Sequence, residues 1–306
     1  MQRYILIRLG QSVITLLGVS LIVFMMARIS GNPLYVLLPP EAPPEAFERL
    51  TKLWGLDRPL HEQYFTFIAN AVQGNFGQSF KWQGQSAMGL VLQRLPATLE
   101  LAAFAIIFSI LLAVPIGVLS ATKRDTWMDM GGKMIALLGQ SLPQFWLGIV
   151  LIWVFAANLG WFPTSGRGGI QNIILPGIAL GWFSVAALMR LIRSSMLNVL
   201  DTEFVKLARV KGLPEGKVIW KHALKNASIA PITFFGAIIV QLITGSVTIE
   251  TVFSWPGVGL LALEAVNARD YQVVQAVAFL GSAAFVFMNL LLDIGYAYID
   301  PRVRYT

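Results

Sequence analysis

Six stretches of this 306-residue chain carry no Asp, Glu, Lys or Arg. They hold 19 residues between Arg8 and Arg28, 22 between Glu100 and Lys123, and 33 between Lys133 and Arg167. A further 22 lie between Arg167 and Arg190, 24 between Lys225 and Glu250, and 22 between Asp270 and Asp293. About 20 helical residues cross a hydrocarbon core of about 30 Å, so each run is long enough for one crossing. The 33-residue run is a crossing plus a loop, because Asn158 to Gly166 is rich in turn formers. Lipid offers no partner to backbone N–H and C=O groups, which leaves helices or closed barrels. The alternating segments of a barrel are absent. The sequence therefore predicts an all-α integral membrane protein. Its six transmembrane helices fall near 9–29, 97–120, 134–156, 172–192, 229–252 and 273–296.

Composition agrees. Hydrophobic residues make up 56% and charged residues 13%, where a soluble chain carries roughly 25% charged residues. Disorder, collagen, a coiled coil and a nucleic-acid-binding domain are excluded. The chain has no Cys, so disulfides, thiolate metal sites and Cys nucleophiles are excluded too. The first apolar run is longer than an ordinary signal-peptide core and no A-x-A site follows, so a retained anchor is expected.

Lys and Arg in short loops set orientation. With the N-terminus inside, 15 of the 23 Lys and Arg residues fall on the inner side, and the short outer loops hold only Arg167 and Arg269. Both termini are expected in the cytoplasm, and the net charge of +7 reads as a topology signal. The expected organisation is 1–30 as N-terminus and first span, 31–96 as an external cap, and 97–306 as a core with five spans.

In the cap, Pro44 to Leu53 has an acidic start and a helical pattern. Leu60, Tyr64, Phe67, Ile68 and Ala71 then recur at helical spacing until Gly74. The cap either packs on the span tops, or offers a surface to an external partner or a lid over an entrance. In the last external segment, Pro256-Gly257 predicts a turn, Trp255 suits the membrane interface, and Leu260 to Val266 reads as a helix.

The inner loop 193–228 is the most informative stretch. Asp201 reads as a helix cap, with Glu203 in the positive first turn. Phe204, Leu207, Ala208 and Lys211 share one face. Gly212 can end the helix in a left-handed conformation, and Pro214 prevents continuation. A second helical pattern runs from Val218 to Ala227. A short basic helix with an apolar stripe has two readings: it lies on anionic lipid, or it docks into a groove on a cytoplasmic protein.

Phe204-Val-Lys-Leu-Ala-Arg-Val-Lys-Gly-Leu213, followed by His222-Ala-Leu-Lys-Asn-Ala227 and Pro231, resembles the EAA loop of ABC-importer permeases. The version is that of the B-type subunit of dipeptide, oligopeptide and nickel permeases, and glutathione permeases look similar. Trp54 to Pro59, Gly74-Asn-Phe-Gly77, Glu250 to Gly259, Arg269-Asp-Tyr271, and Asp293 through Asp300-Pro-Arg-Val-Arg-Tyr305 extend the resemblance along the chain in order. Asn75 stands where the family usually has Asp, Gln272 where it often has Pro, and Ala230 where it has Leu.

The resemblance implies a type I ABC importer permease fold in the bacterial inner membrane. It implies a homologous second permease subunit, two cytoplasmic ATPase subunits and an external substrate-binding protein. Residues 201–212 would be the coupling helix, with Glu203 in its first turn. Phe204, Leu207 and Ala208 would sit in the ATPase groove, Arg209 at its rim, and Gly212 would allow the tight exit. The chain would bind no cofactor, and ATP and magnesium would belong to the ATPases. Gly212 to Lys217 lacks phosphate-loop spacing, and Val218 stands where Ser or Thr would hold magnesium.

His61 and His222, the only histidines, fall on opposite sides, which leaves no metal site and no Ser/His arrangement for an intramembrane protease. Glu100 and Glu250 map to outer ends of spans. Each either reaches water or an Arg, or lines an outer gate, with Glu250 the better gate candidate. The expected function is a permease subunit of an ATP-driven, binding-protein-dependent importer. Its expected substrates are di- or oligopeptides or related small solutes, moved by alternating access. The alternative is a self-contained channel or secondary transporter.

Overall fold

The computed structural model describes residues 2–29, 34, 38, 42–244 and 246–299. Among them it is helical, with no β-strand and a single bridge between Gln78 and Ser86. Internal contacts divide the chain into two compact units, residues 1–96 with 257–306, and residues 97–256.

In the first unit, α1 (Gln2–Ile29) packs along α13 (Tyr271–Ile299). The short helices α2 (Pro44–Leu53) and α3 (Leu60–Val72) follow the sequence pattern closely. Tyr64 of α3 touches α1 through the hydroxyl of Ser20 at 2.9 Å, and its ring meets Phe24 edge-on. Phe76, Leu90, Val91, Leu261 and Val273 form this unit's apolar core. Leu261 comes from α12 (Val258–Asn267), the helix expected over 260–266.

Helix α4 (Ala87–Thr122) starts ten residues before the expected span at 97. Pro96 lies inside it without ending it. In the second unit α4 packs on α7 (Ile170–Leu200), and the approach is close because Gly117 lacks a side chain. A Cβ there would stand 2.9 Å from the Met189 carbonyl oxygen and from Ile192. Gly177 is similarly covered by Phe104. The close-packing role of small residues between membrane helices accounts for both.

Two expected spans are broken. The third divides into α5 (Trp127–Ser141) and α6 (Gln144–Asn158), which meet at 106°. The break is Leu142-Pro143: Pro143 has no N–H, and Leu142 is forced to an extended φ −90°, ψ 126°. The charge-free run read as a single span at 134–156 does not reveal this break. Before the fifth span, α9 (Glu215–Ala227, with a π-helical stretch at Val218–Ala223) bends by 59° into α10 (Ile229–Thr244). The span itself stops short of 252, and α11 (Val247–Val252) is separate. Among the described residues four helices are long and apolar enough to cross a membrane, or up to six crossings if each bent pair counts as one. The terminal motif Asp300 to Tyr305 and Gly245 lie outside the described residues.

Candidate coupling site

Between α7 and α9 stands α8 (Glu203–Val210), a helix of eight residues. Its start differs from the expectation. Asp201 has helical dihedrals (φ −89°, ψ 0°) and closes α7, so the extended Thr202 is the N-cap. The Thr202 hydroxyl turns back to the Val199 carbonyl at 2.6 Å, which ties the two helices together. Glu203 is exposed in the first turn and pairs with Lys206 at 2.9 Å.

The helix ends as Gly212 predicts. Gly212 has φ +74°. Its N–H donates to the Arg209 carbonyl at 2.9 Å, and the Leu213 N–H donates to the Ala208 carbonyl at 3.3 Å. These two bonds are a Schellman stop, and Leu213 packs on the core as that motif requires.

At 100° per residue, Val205, Ala208, Phe204, Leu207 and Val210 cover an arc of about 220°, too wide for one contact. One edge turns inward: Val205 is 0% exposed and Ala208 8%, packed with Val218, Ala223 and Met196. The other edge is open, with Phe204 at 43%, Leu207 at 56% and Val210 at 83%. Ala208 is therefore an anchor in the chain's own core, which corrects its expected place in a partner's groove. Val210 lies outside the stripe Phe204, Leu207, Ala208 and Lys211, so a single-stripe pattern does not include it.

Arg209 also turns to its own chain. Its guanidinium grips Glu215 at the start of α9, Nη2 to Oε1 at 2.8 Å and Nε to Oε2 at 3.2 Å. That hydrogen-bonded carboxylate raises the Arg209 pKa above the ordinary arginine value. The clamp spans the Gly212 turn and holds α8 and α9 together.

The foot of α7 is fixed by a buried ion cluster. Arg193 of α7 meets Asp129 of α5 with two parallel bonds, 2.7 and 2.9 Å. Ser120 donates to the same carboxylate at 2.6 Å, the Asp125 N–H at 3.1 Å, and Lys133 pairs with it at 2.8 Å. A fully buried carboxylate needs such compensation. Sequence reading missed Asp129, whose neighbours Ser120 and Arg193 come from other helices.

The two carboxylates with two readings each, Glu100 and Glu250, separate. Glu100 reaches Arg167 at 2.7 Å at a half-exposed site, as the simpler reading anticipated. Glu250 is 0% exposed. Its Oε1 accepts from Thr98 at 2.7 Å and Ser246 at 2.6 Å, so it is a core clamp and lines no open path in this structure. Trp255 is buried as well, donating from Nε1 to the Ala97 carbonyl at 2.8 Å. Burial with a satisfied N–H corrects its expected place at the membrane interface. In the first unit, buried Asp270 accepts from the Phe80 and Lys81 N–H groups at 2.9 and 3.0 Å and from the Ser79 hydroxyl. This joins the motifs around Gly74 and Asp270. Among the described residues no group of His, Cys, Asp and Glu is arranged to hold a metal.

The family described as "Binding-protein-dependent transport system inner membrane component" matches residues 113–305. Its N-terminal companion matches residues 1–102. The chain belongs to this transport family. Family members similar over their full length include the oligopeptide transport system permease protein AppB of Bacillus subtilis, 36% identical. The dipeptide transport system permease protein DppB of Alkalihalophilus pseudofirmus is 37% identical, again with 100% of both chains covered. The glutathione transport system permease protein GsiC of Escherichia coli is 38% identical at the same coverage. Two solved structures share the fold. An amino acid ABC transporter matches with TM-score 0.55 and 15% identity, over 68% of this chain and 94% of that one. The MetNI methionine ABC transporter matches with TM-score 0.52 and 17% identity, over 71% and 96%. The all-α fold of ABC transporter permeases is thus the fold of this chain.

Proposed function

We propose that this chain is the permease subunit of an ATP-driven importer in the bacterial inner membrane, with both termini in the cytoplasm. The relatives' peptide and glutathione names support di- or oligopeptides or a related small solute as cargo. α8 is the coupling helix. The observation that carries this reading is the open apolar row Phe204, Leu207 and Val210, mounted on a helix whose opposite edge is locked in the core.

A loose surface helix would absorb a partner's push. α8 cannot, because Val205, Ala208, the Gly212 stop and the Arg209–Glu215 clamp all bind it to α7 and α9. Movement of an ATPase subunit that seats this row passes to α7 and, through Asp129–Arg193, to α5. ATP and magnesium act in the two ATPase subunits, and their closure drives rigid-body alternating access. Closure must favour one state of the permease pair differentially. A homologous second permease completes the pathway, and an external binding protein delivers the cargo.

The double substitution Phe204→Asp with Leu207→Asp tests the reading. It is expected to lower ATP-dependent dipeptide uptake in intact cells at least about tenfold, as loss of central apolar anchors does. Membrane insertion should be unchanged. Uptake at the normal rate would overturn the coupling assignment, and transport by the purified chain alone without ATP would overturn the importer reading.

A further inference from the structure

The first unit contains a cleft that the coupling reading leaves unused. Its volume is about 750 Å³, and a smaller cavity of about 280 Å³ shares Arg28, Trp54, Thr66 and Asn70 with it. Ligand sites usually run from about 300 to 1,000 Å³. The larger lies among α1, the end of α2 and the turn after it, α3, the 73–83 loop and the start of α13, and the smaller among α1, the end of α2, the turn after it and α3, all within the one unit.

Three observations concern what these cavities hold. First, four buried side-chain polar atoms lack a hydrogen-bond partner among the described residues, and three of them belong to residues that line these cavities: Arg28 Nε, Gln63 Oε1 and Gln272 Oε1. Buried polar groups are nearly always satisfied, so orphans gathered at one place signal a missing partner. Second, among the described residues the linings contain cations and no carboxylate. Arg28 is common to both, and Lys52 and Arg58 line the smaller. Third, the larger cleft is rich in amides, with Asn70, Asn75, Gln78, Gln272 and Gln275. Each amide offers both a donor and an acceptor, which is the pattern of a peptide backbone. Trp54 and Phe80, stacked at 5.5 Å, supply an aromatic wall.

We propose that this cleft binds a short extended peptide segment, with Arg28 receiving a carboxylate and the amides pairing its backbone. Gln272 is held in place by packing over Gly77, whose φ of +85° and missing side chain make the room: a Cβ there would stand 3.2 Å from Gln272 Cγ. Arg28 is steadied by the Phe24 ring, 5.3 Å from its guanidinium carbon. The carboxylate can be the free end of a diffusing peptide or an acidic side chain on a protein segment. This inference deepens the importer reading by giving its external cap a ligand, and its test uses neither ATP nor uptake.

Binding is measured on the full chain in lipid nanodiscs by the fluorescence change that is lost in Trp54→Phe. The probes are trialanine, trialanine amide, and N-acetyl-Ala-Asp-Ala amide. Saturable binding of trialanine but not of the blocked Asp peptide assigns the site to diffusing peptides, and binding of the blocked peptide assigns it to a protein segment. Arg28→Gln should weaken either one at least about tenfold, the loss expected for a charge-assisted bond. Gln275→Ala, a milder change in the lining, should weaken it about threefold even if Arg28→Gln fails to insert. Saturation by neither probe, equal binding of trialanine and its amide with no binding of the Asp peptide, or unchanged affinity in both variants would overturn the proposal. None of those outcomes would touch ATP-driven uptake.

Discussion

α2 and α8 are near twins in sequence terms and opposites in the structure. Both are short amphipathic helices with an acidic residue in the first turn, Glu45 and Glu203. Both end on a left-handed glycine, Gly55 at φ +62° and Gly212 at φ +74°. Both stops carry the same pair of bonds: in α2 the Gly55 N–H reaches Lys52 at 3.2 Å and the Leu56 N–H reaches Thr51 at 2.9 Å. Yet α2 has no fully buried residue, whereas α8 sinks Val205 and Ala208 into the core. Local sequence makes and stops a helix. Burial decides whether that helix is anchored to the rest of its unit.

The largest expected effect comes from removing that anchorage. Val205→Asp places a charge at a fully buried position in an apolar cluster and should cost about 3 kcal/mol or more, read as a lower unfolding temperature of the purified protein. Leu53→Asp, the matching apolar-to-acid change on α2, is the counterpart. A cost for Leu53→Asp as large as for Val205→Asp would erase the difference between the two helices.

Substituting the stops probes what the helices share. Gly212→Ala and Gly55→Ala each force a side chain into the left-handed region, at about 1 kcal/mol. Thermal unfolding should shift equally for both, while uptake should fall only for Gly212→Ala. Equal loss of uptake would mean that α2 also carries force.

Arg209→Gln should come lower still. Its pair with Glu215 is half exposed, so solvent screening leaves about 0.5 kcal/mol or less. The unfolding temperature should barely move and high salt should mimic the substitution. A large shift would place the rigidity of α8 in this clamp and not in Val205. The smallest effect is that of Leu53→Asp itself, within about 0.5 kcal/mol of no change, as for other exposed positions.

Much of this was legible in the chain. The charge-free runs located the spans, because charge is costly in hydrocarbon whatever the fold. Gly212 and Pro214 ended α8, and the patterns at Pro44 and Leu60 gave α2 and α3 their bounds, because caps and helical periodicity are local. The errors also have local causes. Pro143 bends the third span, and Asp201 belongs to α7 because its own dihedrals are still helical.

What the sequence could not decide was which way a side chain faces and whom it meets. Ala208 looked like part of a docking stripe and is an anchor. Glu250 was open between a water- or Arg-facing acid and a gate, and it is buried, accepting from Thr98 and Ser246. Asp129 drew no notice, yet it joins Ser120, Lys133 and Arg193. The sequence alone determined that the chain is helical, rich in spans apolar enough to cross a membrane, and marked by a basic loop at 193–228, since those follow from composition and short-range order. Partners of buried groups come from segments far apart in the chain, up to 191 residues for Ser79 and Asp270. Only the tertiary structure brings such groups within hydrogen-bond reach, and with that reach comes the difference between a helix that rests on the surface and one anchored in the core.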